Sequence, residues 1–187
     1  MNMTVENSLR IKVTNRCNRN CAFCHQEGDM HGIMDIGCDE TTVNAIKKLC
    51  DYLNISTVSI TGGEPLLYNN LLLLIKKING QCNIKKFSLT TNGTISKEFG
   101  FWEEMYSNGL YNVNISIPDI IDERYRRHKT IFDNQIMIIK QLNELNIKVN
   151  LNIVVHSDYI YTINVIKNIE DCMADLKFKI VLLPNLN

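Results

Sequence analysis

The chain has 187 residues, of which 45% are hydrophobic and 21% are charged, a composition typical of a globular protein with enough apolar material for one core. The formal net charge is zero, which argues against a broad electrostatic grip on nucleic acid or on an anionic membrane. The N-terminus, Met1–Ser8, is polar, and the longest apolar run, Leu71–Ile75, is far too short to cross a bilayer. We therefore expect a single domain over residues 1–187, with no signal peptide, no membrane span and no nucleic-acid partner.

Strand-like and helix-like stretches alternate along the whole chain. Strands are predicted at Leu9–Thr14, Thr57–Thr61, Lys86–Thr91, Tyr111–Ile117, Ile147–Val155 and Lys177–Leu183. Five helices are predicted between them. The first follows a candidate N-cap, Asp39, and has Val43, Ile46, Cys50 and Leu53 on one face; the second and third cover about 70–78 and about 96–107. The fourth has Phe132, Ile136, Ile139 and Leu142 at helical spacing, and the fifth has Ile163, Ile166, Ile169 and Met173. Such alternation predicts an α/β fold, with a parallel sheet and helices packed outside it.

Polar and apolar residues alternate within the predicted strands, which is unusual for parallel strands because both of their faces are normally covered. The polar positions include Ser59, Asn112, Asn114, Asn150 and Asn152, each followed by an apolar residue. One face must meet the helices, and we expect the other to line the concave side of a curved sheet that encloses a ligand. A flat sheet with one poorly covered face is the alternative.

Three cysteines, Cys17, Cys21 and Cys24, follow the first predicted strand with the spacing C-x3-C-x2-C. Thiols this close together can reach one metal centre, and soft thiolates favour zinc, copper or iron–sulfur clusters. A [4Fe–4S] cube normally has four cysteine ligands, so three local cysteines predict one iron with an open position for a small molecule. A zinc site or a chance cluster is the alternative.

The other four cysteines, Cys38, Cys50, Cys82 and Cys172, are scattered along the chain. We interpret them as small core residues or simple thiols, not as metal ligands. Seven cysteines are an odd number, and without a secretory signal they indicate a reducing compartment. We therefore expect the protein in the cytoplasm.

Residue types suited to binding a ligand follow several predicted strands at the same end. Gly62-Gly63-Glu64-Pro65 follows the second strand, Asn92-Gly93 follows the third, and Ser116 ends the fourth. The loops that leave the carboxyl ends of parallel strands carry the chemistry in α/β barrels. We therefore expect these residues to form one site with the loop that carries the three cysteines, Asn15–Cys38, called the cysteine loop below. Gly and Pro alone are also typical of an ordinary turn.

These motifs resemble those of the radical S-adenosylmethionine (SAM) superfamily, and within it most of all the molybdenum-cofactor GTP 3′,8-cyclase type. The resemblance runs from Leu9 to about Leu183. Besides the cysteine motif, it rests on the stretches at 9–17, 61–67 (Thr-Gly-Gly-Glu-Pro-Leu-Leu), 89–93 (Leu-Thr-Thr-Asn-Gly), 109–117, 124–127 (Arg-Tyr-Arg-Arg) and 147–150. It implies a partial (β/α)6 TIM-like barrel of parallel strands with outer helices.

The resemblance also implies roles for individual residues. Cys17, Cys21 and Cys24 would hold a [4Fe–4S] cluster as the catalytic metal centre, and the open iron would bind SAM. Reductive cleavage of SAM would give a 5′-deoxyadenosyl radical, which abstracts hydrogen from a substrate. The residues that match SAM contacts are Phe23, Gly62, Gly63, Glu64, Asn92, Ser116 and Leu183, and those that match substrate contacts are Arg10, Thr90 and Lys148. A carboxylate such as Glu64 suits the ammonium group of SAM, and glycine allows a close backbone approach.

The chain departs from the cyclases in three places. It ends soon after the sixth predicted strand, so we expect no C-terminal domain with a second cluster and no glycine–arginine tail. Ser59 stands where the cyclases have a basic residue, and Pro118 stands where an acidic one is usual. We therefore expect a radical SAM enzyme that acts on another small molecule or on a peptide. The alternative is a non-catalytic iron–sulfur, SAM-binding or zinc module, or a degenerate relative that works with a partner.

Two kinds of protein partner follow from these expectations. A radical SAM enzyme needs a reductant such as flavodoxin or ferredoxin. A six-stranded sheet leaves open edges, which a homodimer or a partner protein would cover.

We expect Gly63, Glu64, Asn92 and Ser116 to distinguish the enzyme from the non-catalytic alternative, because a protein that only binds a metal has no need for them.

Overall fold

The computed structural model describes residues 8–19, 21, 34–81, 84–117, 129–155 and 159–184. Six strands form one parallel sheet in the order of the sequence: β1 (Ser8–Lys12), β2 (Thr57–Thr61), β3 (Lys86–Thr91), β4 (Leu110–Ile117), β5 (Lys148–Val154) and β6 (Lys179–Leu183). The α-helices within the described ranges are α1 (Glu40–Leu53), α2 (Leu71–Gln81), α3 (Phe99–Ser107), α4 (Lys129–Glu144) and α5 (Tyr159–Cys172). This is the predicted α/β fold, a partial (β/α)6 barrel with β1 and β6 as its two edge strands.

Strand β1 is shorter than predicted because the chain changes its pairing partner at Thr14. The N–H of Val13 still donates to the carbonyl of Thr61 at 2.9 Å, as a parallel strand would. Thr14 instead forms an isolated antiparallel bridge with Asp35. The other strands agree with the prediction to within one or two residues at each end, whereas α3 begins at Phe99 and not near residue 96.

Helix α1 begins and ends with the expected capping chemistry. The side chain of Asp39 accepts a hydrogen bond from the N–H of Thr42 at 2.9 Å, and the helix stops at Asn54, whose φ of 52° is left-handed. Three of the four predicted inner positions, Val43, Ile46 and Cys50, are buried. Leu53 is 43% exposed, because it lies at the edge of the apolar stripe.

The inner face of α5 is rotated relative to the predicted stripe. Val165 and Ile169 are buried, and so is Met173 just beyond the helix, whereas Ile163 is 45% exposed. In α4 the predicted positions Ile139 and Leu142 are buried, Ile136 is partly buried, and the side chain of Phe132 lies outside the described part of the chain. Of the helices described, none combines the length and the apolar character that a membrane crossing requires.

The sheet has one apolar face and one polar face, as the alternation predicts. Fully buried side chains fill the apolar face under the helices, among them Ile60, Phe87, Leu89 and Ile115, with Trp102 of α3 packed in the same core. Burial on this scale is the main favourable term in folding. The helices therefore cover one side of the sheet and leave the other side to its polar residues.

Asparagine side chains on β4 and β5 hydrogen-bond to one another on the polar face. Nδ2 of Asn150 donates to Oδ1 of Asn112 at 3.1 Å and to Oδ1 of Asn114 at 2.9 Å. Nδ2 of Asn112 donates to Oδ1 of Asn114 at 3.0 Å, and Nδ2 of Asn114 reaches the hydroxyl of Thr90 at 3.4 Å. Because partly buried amides must find partners, this network keeps the polar face ordered by protein contacts.

Candidate functional site

The start of the cysteine loop, Thr14–Arg16, is hydrogen-bonded to the turn at Gly62–Glu64 that follows β2. The N–H of Gly63 donates to the carbonyl of Thr14 at 2.9 Å, and the N–H of Glu64 donates to the carbonyl of Arg16 at 2.7 Å. Arg16 directly precedes Cys17 in the sequence. The segments that follow β1 and β2 are therefore joined backbone to backbone at the carboxyl edge of the sheet.

Glycine is required at positions 62 and 63 because the chain itself passes so close to them. A Cβ on Gly62 would stand 2.6 Å from the carbonyl oxygen of Thr14, and a Cβ on Gly63 would stand 2.3 Å from that of Arg16. Both neighbours are backbone atoms, which cannot swing aside as a flexible side chain can. We expected these glycines to admit a ligand, and the structure shows that packing of the cysteine loop also requires them.

Met34 and Asp35, near the C-terminal end of the cysteine loop, contact the same segment, Thr14–Arg16. Asp35 accepts a hydrogen bond from the hydroxyl of Thr14 at 2.6 Å and pairs with Nη2 of Arg16 at 2.7 Å. The N–H of Asn15 donates to the carbonyl of Met34 at 3.0 Å, and the N–H of Met34 donates to Oδ1 of Asn15 at 2.7 Å. The two ends of the loop are thus joined by contacts within the protein.

Glu64 is completely buried, and its carboxylate has three donors around it. Oε1 accepts from the N–H of Leu66 at 3.0 Å and from the hydroxyl of Thr91 at 2.7 Å, while Oε2 accepts from the N–H of Asn92 at 2.7 Å. Burial raises the pKa of Glu64, and these hydrogen bonds only partly oppose the rise. The bonds also tie the end of β2 to the end of β3.

The side chain of Asn92 links the turn after β3 to the cysteine loop. Its Nδ2 donates to Oδ1 of Asn18 at 3.0 Å, and its Oδ1 accepts from the N–H of Thr94 at 2.9 Å and from the Thr94 hydroxyl at 2.6 Å. Asn18, which follows Cys17, donates in turn to the Thr94 hydroxyl at 2.8 Å. Asn92 therefore lies at the expected edge of the sheet, where its side chain joins two loops.

Three further candidate residues lie on the polar face near this edge. Ser116 is partly buried near the end of β4 and pairs in register with Asn152. Thr90, near the end of β3, accepts the hydrogen bond from Asn114. Leu183 ends β6 and remains 37% exposed. These positions are compatible with contacts to one ligand at the carboxyl ends of the strands.

The two basic candidates, Arg10 and Lys148, lie farther from this edge. Both are exposed, and the strand register places them on the same row of the sheet as Asn112. That row is four residues before Ser116 on β4, or about 13 Å at the usual rise per residue. Nη2 of Arg10 donates to the hydroxyl of Thr61 at 3.3 Å. This hydrogen bond brings the Arg10 guanidinium to the last residue of β2, which directly precedes Gly62.

Two of the three motif cysteines fall within the described residues. Cys17 and Cys21 are partly exposed thiols beyond the carboxyl end of β1. Cys24, Phe23, Cys82, Pro118 and the stretch at 124–127 lie outside the described residues. Among the scattered cysteines, Cys50 is buried in the core, Cys38 packs against it, and Cys172 is exposed at the end of α5.

Several residues that organise this edge were not predicted from the sequence. They are Asn18, Asp35, Thr91, Thr94 and Gln135. Their partners lie as far as 76 residues away along the chain, so no local spacing reveals the pairs. Gln135 did carry a signal, because it is a polar residue on the face of α4 that also holds Ile139 and Leu142.

Comparison with known proteins identifies relatives of this chain. Residues 11–161 match the family model of the Radical SAM superfamily. The GTP 3′,8-cyclase of Clostridium perfringens (strain SM101 / Type A) is 33% identical over 156 residues, which cover 81% of this chain and 47% of that protein. A probable GTP 3′,8-cyclase of Pyrococcus abyssi is 35% identical over 150 residues, covering 79% of this chain and 47% of that protein. The chain thus spans about half the length of the curated relatives it matches.

Solved structures share the fold at low sequence identity. The protein anSMEcpe with bound AdoMet superposes with a TM-score of 0.70 at 23% identity, over 96% of this chain and 51% of that one. Streptococcus suis SuiB bound to the precursor peptide SuiA gives a TM-score of 0.64 at 21% identity, over 94% of this chain and 39% of that one. At such identities the likeness concerns the fold alone, and it agrees with the partial barrel described above. The family model, which matches most of the chain, shows that the protein belongs to the radical SAM superfamily.

Proposed function

We propose that the chain, as one domain over residues 1–187, is a radical SAM enzyme core that holds a [4Fe–4S] cluster through Cys17, Cys21 and Cys24 and binds SAM there. When bound, the cluster and SAM supply reductive cleavage of SAM and abstraction of hydrogen from a substrate. One observation carries the proposal. Arg16, next to Cys17, is hydrogen-bonded to Glu64 of the Gly-Gly-Glu-Pro turn, so the two motifs form one site.

The donor set at this edge fits such a pair of cofactors. Cys17 and Cys21 are partly exposed, and their thiolates are the soft ligands that iron–sulfur clusters take. Glu64 is a buried carboxylate whose pKa is raised by burial, and a charge-assisted bond to an ammonium group would favour its ionised state. Ser116 offers a hydroxyl near the end of β4, and Leu183 offers a partly exposed apolar side chain at the end of β6.

Within this proposal the residues of the chain bind and orient the cofactor. Glu64, with the backbone of Gly62 and Gly63, would hold the methionine end of SAM, and Asn92 and Ser116 would provide further polar contacts. Phe23 and Leu183 would contact the adenine. The polar face of the sheet, with Thr90, Asn112, Asn114 and Asn150, would face the substrate and exclude bulk water from it.

We propose a small molecule or a peptide, and not GTP, as the substrate. Ser59 replaces the basic residue of the cyclases, and its hydroxyl is paired with that of Ser88 at 2.8 Å. Arg10 and Lys148 match positions that contact GTP in the cyclases, whereas Pro118 stands where the cyclases usually have an acidic residue. The precursor peptide bound to the similarly folded SuiB supports the peptide class.

A second candidate function is a degenerate relative that keeps the fold without turnover, or a non-catalytic iron–sulfur, SAM-binding or zinc module. The structure gives this candidate specific support. Gly63 is required by the approach of Arg16, Glu64 accepts three hydrogen bonds, and Asn92 joins two loops. Each of these residues therefore has a role in the protein alone.

The deciding experiment is anaerobic reconstitution followed by reduction in the presence of SAM. We expect about four irons per chain and release of 5′-deoxyadenosine. The Cys21→Ala variant should lose both, whereas Cys172→Ala, which alters an exposed cysteine at the end of α5, should keep both. One zinc per chain without SAM cleavage would favour the module, and full activity in Cys21→Ala would contradict the ligand assignment.

The proposal includes partners and a compartment. A reductant such as flavodoxin or ferredoxin would deliver the electron. The open edges of β1 and β6 favour a homodimer or a partner protein, because unpaired strand edges are normally covered. The cysteines in the described ranges are thiols, which supports a reducing location such as the cytoplasm.

A further inference from the structure

Gln135 is a completely buried polar residue on the inner face of α4. Its neighbours on that face, Ile138, Ile139 and Leu142, are also fully buried. A primary amide placed among apolar side chains is unfavourable unless its polar atoms find partners. The partners of its Nε2 group therefore indicate why glutamine occupies this position.

The amide of Gln135 spans the ends of two strands. Its Nε2 donates to the carbonyl of Asn92 at 2.8 Å and to the carbonyl of Ser116 at 3.3 Å, which uses both hydrogens of the NH₂ group. The pairing of β3 with β4 stops at Thr91 and Ile115. Gln135 therefore joins the two strands one step beyond the point where their own hydrogen bonds end.

The turn after β3 is shaped to accept this side chain. Gly93 has a φ of +66°, and a Cβ there would stand 2.8 Å from Cγ of Gln135. Asn134, the neighbour of Gln135, donates to the carbonyl of Thr94 at 2.9 Å. Helix α4 thus supports the turn from one side, while on the other side Asn92 and Thr94 hydrogen-bond to Asn18 beside the first cysteine.

From this arrangement we propose that Gln135 is a positioning residue for the cofactor site. It sets the spacing between Asn92 and Ser116, the two residues assigned above to polar contacts with SAM, and through Asn92 it steadies the cysteine loop. The inference rests on the proposed function, because SAM is the ligand whose contacts are being spaced. Gln135 itself lies behind both strands and acts through them.

The first test needs no cofactor. In Gln135→Met, which keeps the length of the side chain and removes both donors, the backbone amides of Asn92, Gly93 and Thr94 should exchange their hydrogens about ten-fold faster or more, because a buried bond that restrains the turn is lost. The control is Gln141→Met on the same helix, where the buried Oε1 has no hydrogen-bond partner among the described residues. Unchanged exchange in Gln135→Met would overturn the positioning role.

The second test measures SAM binding by the reconstituted, cluster-containing protein. We expect Gln135→Met to retain its iron and the SAM-free spectrum of the cluster, and to bind SAM about ten-fold more weakly. Gln135→Glu keeps the shape and, when protonated, one donor, so its affinity should fall between those of wild type and Gln135→Met. Gln141→Met should match wild type.

The outcomes separate this inference from the function on which it rests. A folded, iron-loaded Gln135→Met that binds SAM as well as wild type would show that Gln135 only satisfies two buried carbonyls, and the inference would be wrong. If Gln135→Met does not fold, the SAM affinity of Gln135→Glu is compared with that of wild type, and an equal affinity would contradict the inference. A wild-type protein that binds iron but no SAM would contradict the proposed function instead, and hydrogen exchange would still decide whether Gln135 positions the turn.

Discussion

A Cβ atom on Gly63 would stand 2.3 Å from the carbonyl oxygen of Arg16, the residue before Cys17. Atoms cannot approach so closely, so Gly63→Ala must push the start of the cysteine loop away from β2. We expect the free energy of unfolding to fall by about 1–3 kcal/mol, as in other overpacked sites, and iron uptake to fail. Denaturant unfolding and iron analysis after anaerobic reconstitution measure the two effects.

The matched control is Gly80→Ala in α2. Gly80 has nothing within 4 Å of an added Cβ, and alanine is favoured over glycine within a helix by roughly 0.5–1 kcal/mol. This variant should be slightly more stable than wild type and should take up iron normally. A Gly63→Ala protein with a wild-type iron content would show that the close approach does not position the cysteines.

Asp35→Ala removes the contacts that Asp35 makes with Thr14 and Arg16 across the ends of the cysteine loop. The carboxylate is 31% exposed and accepts charge-assisted bonds, so we expect a loss of about 1–3 kcal/mol in the free energy of unfolding. Asp51→Ala, which removes only the exposed pair with Lys47 on α1, should change stability by about 0.5 kcal/mol or less. Equal effects of the two substitutions would contradict a special role for Asp35.

Asn18 and Asn92 should be energetically coupled. Their side chains are hydrogen-bonded to each other and to Thr94, so the double variant Asn18→Ala/Asn92→Ala should be less destabilised than the sum of the single variants. The expected coupling is roughly 0.5–1 kcal/mol, which a double-mutant cycle by denaturant unfolding can resolve. Strict additivity would mean that the bridge is not formed in solution.

The same bridge should slow the loss of the cluster. We expect iron to leave the reconstituted Asn92→Ala protein faster than wild type, because the loop beside Cys17 has lost a restraint. Asn143→Ala is the control: Asn143 makes two hydrogen bonds with the backbone of Lys177, after α5 and before β6. It should lower stability without changing the rate of iron release.

The titration of Glu64 predicts a specific pH dependence of stability. Burial raises the pKa of Glu64 in the folded protein, so folding favours the protonated form. Its contribution to stability is fully present below the ordinary carboxyl pKa and is lost as the pH rises through the raised value. Relative to Glu64→Gln, which cannot titrate, wild type should therefore lose stability as the pH increases over that range. Denaturant unfolding of both proteins across the range would show a constant difference if the pKa were not raised.

The sequence was sufficient to predict the fold because the signals for it are local. Strand and helix periodicity lies within ten or so residues of any position, and the β2 and β3 boundaries were predicted correctly. The alternation at Asn112, Asn114 and Asn150 likewise predicted the polar face. The shortened β1 was missed because its end depends on Asp35, which lies 21 residues beyond Thr14.

The site was predicted less completely, since its contacts join distant parts of the chain. Asn92 and Asn18 are 74 residues apart, and nothing near Asn18 indicates its partner. The glycine pair was interpreted as allowing SAM to approach the backbone closely, and the approach of the Thr14 and Arg16 backbone to it was not foreseen. The register also places Arg10 and Lys148 in one row of the sheet with Asn112, which depends on strand pairing and not on the motifs themselves.

Contacts between the two ends of the cysteine loop bear on whether the protein folds before it takes up metal. They join Thr14, Asn15 and Arg16 to Met34 and Asp35. A zinc finger is unfolded until its metal supplies the free energy of folding, whereas here the ends of the loop meet through hydrogen bonds and an ion pair of the chain itself. We therefore expect folding to precede metal loading. The apoprotein should unfold cooperatively, and removal of the proposed cluster by chelation should leave the protein folded.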